Sequence, residues 1–152
     1  MYSKNTSKVK SKIIIVDFGS QVTKLIARRI RELKIYCEVL NLKEFKNISN
    51  FDQIKGIILS GGPSTVTQKT YPNIESTIFK KGIPILGICY GLQLIAKVFG
   101  GKIKKTKKKR EFGEATLIEK SKSILFKNCY NKKKTKVWMS NQDVVFKLTK
   151  KY

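Results

Sequence analysis

Ile83-Pro84-Ile85-Leu86-Gly87-Ile88-Cys89-Tyr90-Gly91-Leu92-Gln93 is the stretch on which the reading of this chain turns. From Ile83 to Ile88 it is short and almost wholly apolar, as expected of a strand covered on both faces in a parallel sheet. Beyond it, Leu92, Ile95, Ala96 and Phe99 recur at helical spacing. Cys89 sits where the period changes, and Gly87 and Gly91 remove the side chains that would collide in a tight turn there. This is the pattern of a nucleophile elbow with cysteine in place of serine. A cysteine at a helix N-terminus also meets the positive end of the helix dipole, which favours the thiolate that attacks carbonyl carbon. A buried structural cysteine beside turn glycines fits the same spacing, and these residues alone leave both readings open.

Outward from the elbow, strands and helices alternate. Lys12-Ile13-Ile14-Ile15-Val16-Asp17 is β-branched and too short for a helix, so it reads as the first central strand. Phe18-Gly19-Ser20-Gln21 makes a turn with Ser20 as N-cap. Val22, Leu25, Ile26, Ile30 and Leu33 then mark the inner face of an amphipathic helix, with Arg28, Arg29 and Arg31 outside. Ile35 to Leu40 is a second strand, Leu42 to Phe45 a short helix, and Gly56 to Leu59 a third strand that runs into Ser60-Gly61-Gly62-Pro63. Glycines there let backbone N–H groups approach a ligand, one way to build an oxyanion hole, although an ordinary strand-to-helix turn has the same composition. The spacing predicts a helix from Pro72 to Lys81, then the elbow helix ended by Gly100-Gly101. Phe112 to Ile118 and Lys136 to Ser140 read as strands, antiparallel or mixed, between Lys-rich loops. The alternation up to residue 99 specifies an α/β fold with a doubly wound, mostly parallel sheet and flanking helices. Ligands of such sheets bind at the carboxyl ends of the strands, where Gly19, Gly62 and Cys89 fall.

At 152 residues and 41% apolar composition the chain fits one domain. Residues 1–11 read as a disordered tail and 12–152 as the domain. No run approaches the roughly 18 apolar residues of a membrane span, and the Lys-rich start lacks a signal-peptide core, so a cytoplasmic protein with no membrane partner is expected. Cys37, Cys89 and Cys129 are odd in number, form no C-x-x-C pair and have no histidine beside them, so neither a disulfide frame nor a metal site is indicated. The formal charge of +23 raises the possibility of nucleic-acid binding, with 102–110 and 132–136 as its best support. Specific binding is not expected, because 29 of the 33 basic residues are Lys, whereas readers of bases and phosphates lean on Arg forks. Lys, Ile and Asn share AT-rich codons, and a base bias accounts for the charge without a partner.

Taken together, several stretches resemble the class I glutamine amidotransferase domain of GMP synthase. They are Asp17-Phe18-Gly19-Ser20-Gln21, Ala27-Arg28-Arg29 with Arg31-Glu32, Tyr36-Cys37-Glu38, Gly56 to Pro63, Gly87-Ile88-Cys89-Tyr90-Gly91 with Gln93, Arg110-Glu111-Phe112-Gly113, and Val137-Trp138-Met139-Ser140. The resemblance runs from about Ile13 to Asp143 and implies a flavodoxin-like sheet. It makes Cys89 the catalytic nucleophile that converts the glutamine side-chain amide to a thioester and ammonia. Gly62 and Tyr90 become the backbone donors of the oxyanion hole, and Gln93, Ser140, Asn141 and Asp143 line the glutamine pocket. For Gln93, a solvated helix position is the plain alternative. The glutaminase part needs no cofactor. ATP and Mg would belong to a separate ATP-pyrophosphatase domain or subunit, the expected partner, which aminates xanthosine monophosphate to GMP in purine biosynthesis. No synthetase signature is present: Ser60 to Thr65 only superficially resembles a pyrophosphatase loop, since Ser64 or Thr65 stands at its aspartate position and Pro63 removes an N–H.

Two departures bear on activity. The 152 residues hold no histidine, whereas the family's base is a histidine followed two residues later by a glutamate. The expectation is a chain truncated before that segment, incomplete at the C-terminal side of its sheet, and weak or inactive alone. A noncatalytic module that regulates a synthetase subunit, or a basic nucleic-acid binder on the same fold, are the alternatives. At Asn141-Gln142 the family usually has histidine and glycine, so the Gln142 side chain is expected to crowd the pocket.

Overall fold

The structure, a computed structural model, describes residues 11–105, 111–118, 123–127, 134–141 and 143–148. They divide into two units, one running to Lys104 and resuming at Val145, the other spanning Lys105–Val144.

The first unit is built on a parallel sheet of β1 (Lys12–Asp17), β2 (Cys37–Asn41), β3 (Ile54–Leu59) and β4 (Ile85–Gly87), in the order β2-β1-β3-β4. β1 lies inside it, and Ile14, Ile15 and Val16 are all fully buried. Because successive side chains of a strand point to opposite faces, β1 feeds two cores. Ile14 and Val16 join Phe45, Ile57, Leu59, Tyr90 and Leu94, whereas Ile15 joins Ala27 and Cys37. The first face is covered by α2 (Leu42–Lys46), α3 (Tyr90–Val98) and a 3-10 helix (Ser76–Lys81), the second by α1 (Thr23–Glu32). This is the doubly wound parallel arrangement that the alternation of elements predicts.

Several expectations are corrected. Ser20 does not cap α1; the helix starts after Val22 without a side-chain cap. Asp17 organises the turn instead, its Oδ1 accepting from the N–H of Gly19 (2.9 Å), the N–H of Ser20 (3.3 Å) and the hydroxyl of Thr23 (2.8 Å). Holding Thr23 inward fixes the rotation of α1, so Thr23 and Ala27 are buried with Ile26 and Ile30 packed beside them. Val22, Leu25 and Leu33, read as inward, are exposed. The second strand starts later than expected, at Cys37. Lys34 takes a left-handed φ of 61° to close α1, so Ile35 and Tyr36 precede the strand, although the Tyr36 carbonyl accepts from the Ile13 N–H at 3.0 Å. α2 appears as expected, fixed by a capping box in which Asn41 and Glu44 exchange side-chain-to-backbone bonds of 2.9 and 2.8 Å.

The helix predicted over 72–81 shrinks to its second half, because the Pro72 carbonyl accepts from the Tyr90 hydroxyl rather than entering a helical ladder. β4 also differs: it is three residues long and half-buried, and among the described residues it lies at the edge of the sheet, bonded to β3 through Ile57, Ile58 and Leu59. β5 (Lys102–Lys105) and β8 (Asp143–Lys147) form a small ladder that the sequence pattern did not announce.

In the second unit, β6 (Glu111–Ile118) and β7 (Lys134–Asn141) pair antiparallel over their whole length, as their sequences suggest. Ala115, Leu117, Val137 and Met139 alternate as half-buried positions with exposed Glu114, Thr116, Lys136 and Trp138. Lys136 bridges to Glu114 at 2.9 Å. Cys129, Gln142 and the lysines of 106–109 lie outside the described residues.

Candidate functional site

The elbow is present, and its geometry explains its glycines. Cys89 has φ 52° and ψ −108°, a conformation that costs a non-glycine residue about 1–3 kcal/mol. The surrounding bonds hold it there. Ile88 donates to the Leu59 carbonyl at 2.9 Å, Gly91 to the Ser60 carbonyl at 3.1 Å, and Gln93 to the Cys89 carbonyl at 3.1 Å. A Cβ on Gly91 would lie 2.2 Å from the Leu59 oxygen, and one on Gly87 would lie 2.6 Å from the Leu92 nitrogen. Both neighbours are backbone and cannot yield, so only glycine fits on either side of Cys89. Cys89 is half-buried, whereas Cys37 is buried and its thiol donates to the Ala27 carbonyl at 3.6 Å.

The glycine turn after β3 lies alongside. Ser60 donates from its backbone to Val16 at 3.1 Å; its Oγ accepts from the Phe18 N–H at 3.2 Å and donates to the Gly61 carbonyl at 2.9 Å. A Cβ on Gly61 would sit 3.4 Å from the Cys89 Cβ, and one on Gly62 would sit 2.4 Å from the Phe18 oxygen. The turn is therefore pressed between the β1 exit and the elbow. The N–H of Tyr90, in the first turn of α3, has no intrahelical acceptor.

Tyr90 is fully buried. Its ring meets Phe18 at 5.1 Å and 58°, and its hydroxyl donates to the Pro72 carbonyl. Burial, with Tyr71 adding to it, pushes the phenol up to about 12, so it remains a donor at any working pH. Gln93 is 7% exposed, which removes the solvated alternative, and its Oε1 has no hydrogen-bond partner among the described residues. Leaving a buried amide oxygen unsatisfied costs about 1–3 kcal/mol.

The structure thus brings Gly62, Cys89, Tyr90 and Gln93 together at the carboxyl ends of β3 and β4. The other predicted site residues lie in the second unit or at its boundary. Ser140 and Asn141 are in β7, opposite Phe112 and Glu111, and Asp143 is the buried first residue of β8. Sequence reasoning gave no role to Asp17, Phe18 or Pro72. Phe18 lies in a quoted motif, but its partner Tyr90 is distant in sequence and no spacing rule joins them. Among the described residues no three His, Cys, Asp or Glu side chains cluster as metal ligands would, and no helix is long and apolar enough to cross a membrane.

Residues 14–151 match the family model for glutamine amidotransferase class-I. The chain is 45% identical over 133 residues to the GMP synthase [glutamine-hydrolyzing] of Finegoldia magna, covering 88% of this chain and 26% of that protein. It is 47% identical over 137 residues to the protein of the same name from Fusobacterium nucleatum, covering 90% of this chain and 26% of the relative. The chain therefore spans about a quarter of the length of these curated relatives. Among solved structures, a putative GMP synthase subunit from Thermoplasma acidophilum superposes with a TM-score of 0.73 at 29% identity, over 93% of this chain and 69% of that one. A glutamine amidotransferase from Thermotoga maritima shares the fold, with a TM-score of 0.68 at 21% identity, over 88% and 61% of the two chains.

Proposed function

Because the chain belongs to the class I glutamine amidotransferase family, we propose that it is the glutaminase part of a GMP synthase. Cys89 attacks the side-chain amide carbon of glutamine. The strained backbone of Cys89, set between Gly87 and Gly91 beside the Gly61-Gly62 turn, is the observation that carries this reading. In the tetrahedral intermediate the amide oxygen carries the charge, and the N–H groups of Gly62 and Tyr90 are its donors. The C–N bond then breaks, nitrogen takes up a proton, and ammonia leaves a glutamyl thioester on Cys89. Hydrolysis of the thioester to glutamate, which would restore the thiol, needs a base to activate water. Gln93, whose Oε1 is buried and has no partner among the described residues, accepts from a glutamine N–H.

The two proton transfers set the limit. The 152 residues supply no imidazole, so attack by the thiol is better supported than protonation of the departing amine or activation of water. The ammonia is destined for a synthetase part with ATP and Mg, which aminates xanthosine monophosphate. The names of the relatives and the length by which they exceed this chain support that destination.

A glutamine-shaped chloroketone tests the assignment. Labelling is expected at Cys89 and suppressed by glutamine; labelling at Cys37 or Cys129, or indifference to glutamine, would refute it.

A further inference from the structure

The two proposed oxyanion donors stand on separate segments, Gly62 on the turn after β3 and Tyr90 on the first residue of α3. Two backbone bonds, Ile88 to the Leu59 carbonyl and Gly91 to the Ser60 carbonyl, tie the end of β3 and its turn to the elbow. Phe18 touches both. Its N–H donates to Ser60 Oγ at 3.2 Å, and its carbonyl lies so close to Gly62 that a Cβ there would approach the oxygen to 2.4 Å. Its ring lies 5.1 Å from the Tyr90 ring at a tilt of 58°. Phe18 is 7% exposed and Tyr90 fully buried, so neither ring can move without disturbing packed neighbours.

We propose that Phe18 and Tyr90 act as positioning residues: their ring pair is a clamp that fixes the spacing between the Gly62 and Tyr90 N–H groups. The proposal deepens the glutaminase reading and rests on it. Phe18 holds Gly62 through its backbone and Tyr90 through its ring, so a displacement of the ring pair translates into a displacement of one donor relative to the other. The Tyr90 hydroxyl, bonded to Pro72, anchors the far end of the ring but does not span the two donors. The clamp therefore resides in the rings.

The side-chain p-nitrophenyl ester of glutamate isolates the oxyanion step. Cys89 thiolate adds to the ester carbonyl, the oxyanion collapses, the C–O bond breaks with loss of p-nitrophenolate, and the glutamyl thioester remains. The leaving group needs no proton, so its departure calls for no imidazole. Iodoacetamide alkylates the same sulfur by displacement of iodide at a saturated carbon, without an oxyanion. Both rates are measured on the full 152-residue chain with wild type, Phe18→Met and Tyr90→Met; methionine retains apolar volume while removing the ring.

A misplaced donor costs roughly 10- to 100-fold, so both Met variants are expected to lose that much in acylation while alkylation stays near wild type. Unchanged acylation in the Met variants, or a parallel change in acylation and alkylation, would overturn the clamp. Wild type that forms no acyl-Cys89 would instead overturn the glutaminase reading beneath it.

Discussion

Cys89 keeps its unusual backbone only because Gly91 and Gly87 leave room for it, so the site is most sensitive at positions that do no chemistry. A methyl group at Gly91 would be driven against the Leu59 carbonyl at 2.2 Å. Gly91→Ala is expected to destabilise the chain by about 1–3 kcal/mol, measured by urea unfolding, and to suppress Cys89 labelling by the glutamine analogue; wild-type labelling would mean that the elbow tolerates a side chain there. Thiol reactivity should follow burial: Cys89, half-buried at the sheet edge, is expected to react ahead of Cys37, whose sulfur is buried and bonded to Ala27. Peptide mapping after brief alkylation reads the order. The elbow was legible in the sequence because its requirements are local, a glycine two residues to either side of one cysteine. The burial of Gln93 and the pairing of Phe18 with Tyr90 depend on which way α3 faces and on what the β1 exit brings to it, and no local spacing records either.

At the scale of elements, β1 and α2 were legible for plain reasons. A run of β-branched residues has one good use, and Asn41 with Glu44 forms a capping box. The inner face of α1 was not, because a side-chain bond from Thr23 to Asp17 sets the rotation of the helix and overrides the stripe of Val22, Leu25 and Leu33. The β1–β2 edge carries a pH signature. Lys12 donates to Glu38 at 2.9 Å, which with help from Tyr36 holds the Glu38 carboxyl below its ordinary range, while burial opposes. A group with a lowered folded pKa contributes stability above its unfolded value, and that contribution is lost as pH falls through the folded one. Stability is therefore expected to decline on acidification from the ordinary Glu value downward. Glu38→Gln should flatten that part of the curve by about 0.5–1 kcal/mol, since the pair is partly solvated. An unchanged acid limb in thermal melts would show that the pair contributes nothing.

For the whole molecule, charge and fold pull in different directions. A formal charge of +23 attracts any polyanion, but base readers need forks of donors at fixed positions, and four arginines in 152 residues give few. Binding to duplex or single-stranded probes is expected to be weak, unselective and steeply dependent on salt, with counterion release as its source. Sub-micromolar affinity with sequence preference near physiological salt, by fluorescence anisotropy, would contradict this. The parallel sheet and its carboxyl-end site were legible because strands and helices alternate cleanly to Phe99. β5 and β8 were not, since Lys102–Lys105 reads as charge rather than as strand, and its ladder partner comes from the far end of the chain. The central claim is that Cys89 attacks glutamine and that a chain without histidine stalls afterward, at a cost of roughly 10⁴ to 10⁶ in turnover. The direct measurement is incubation with glutamine, following ammonia release and intact mass together. The account predicts a glutamyl adduct on Cys89, lost in Cys89→Ala, with no sustained ammonia release; steady turnover above about 1 s⁻¹, or release that survives Cys89→Ala, would contradict it.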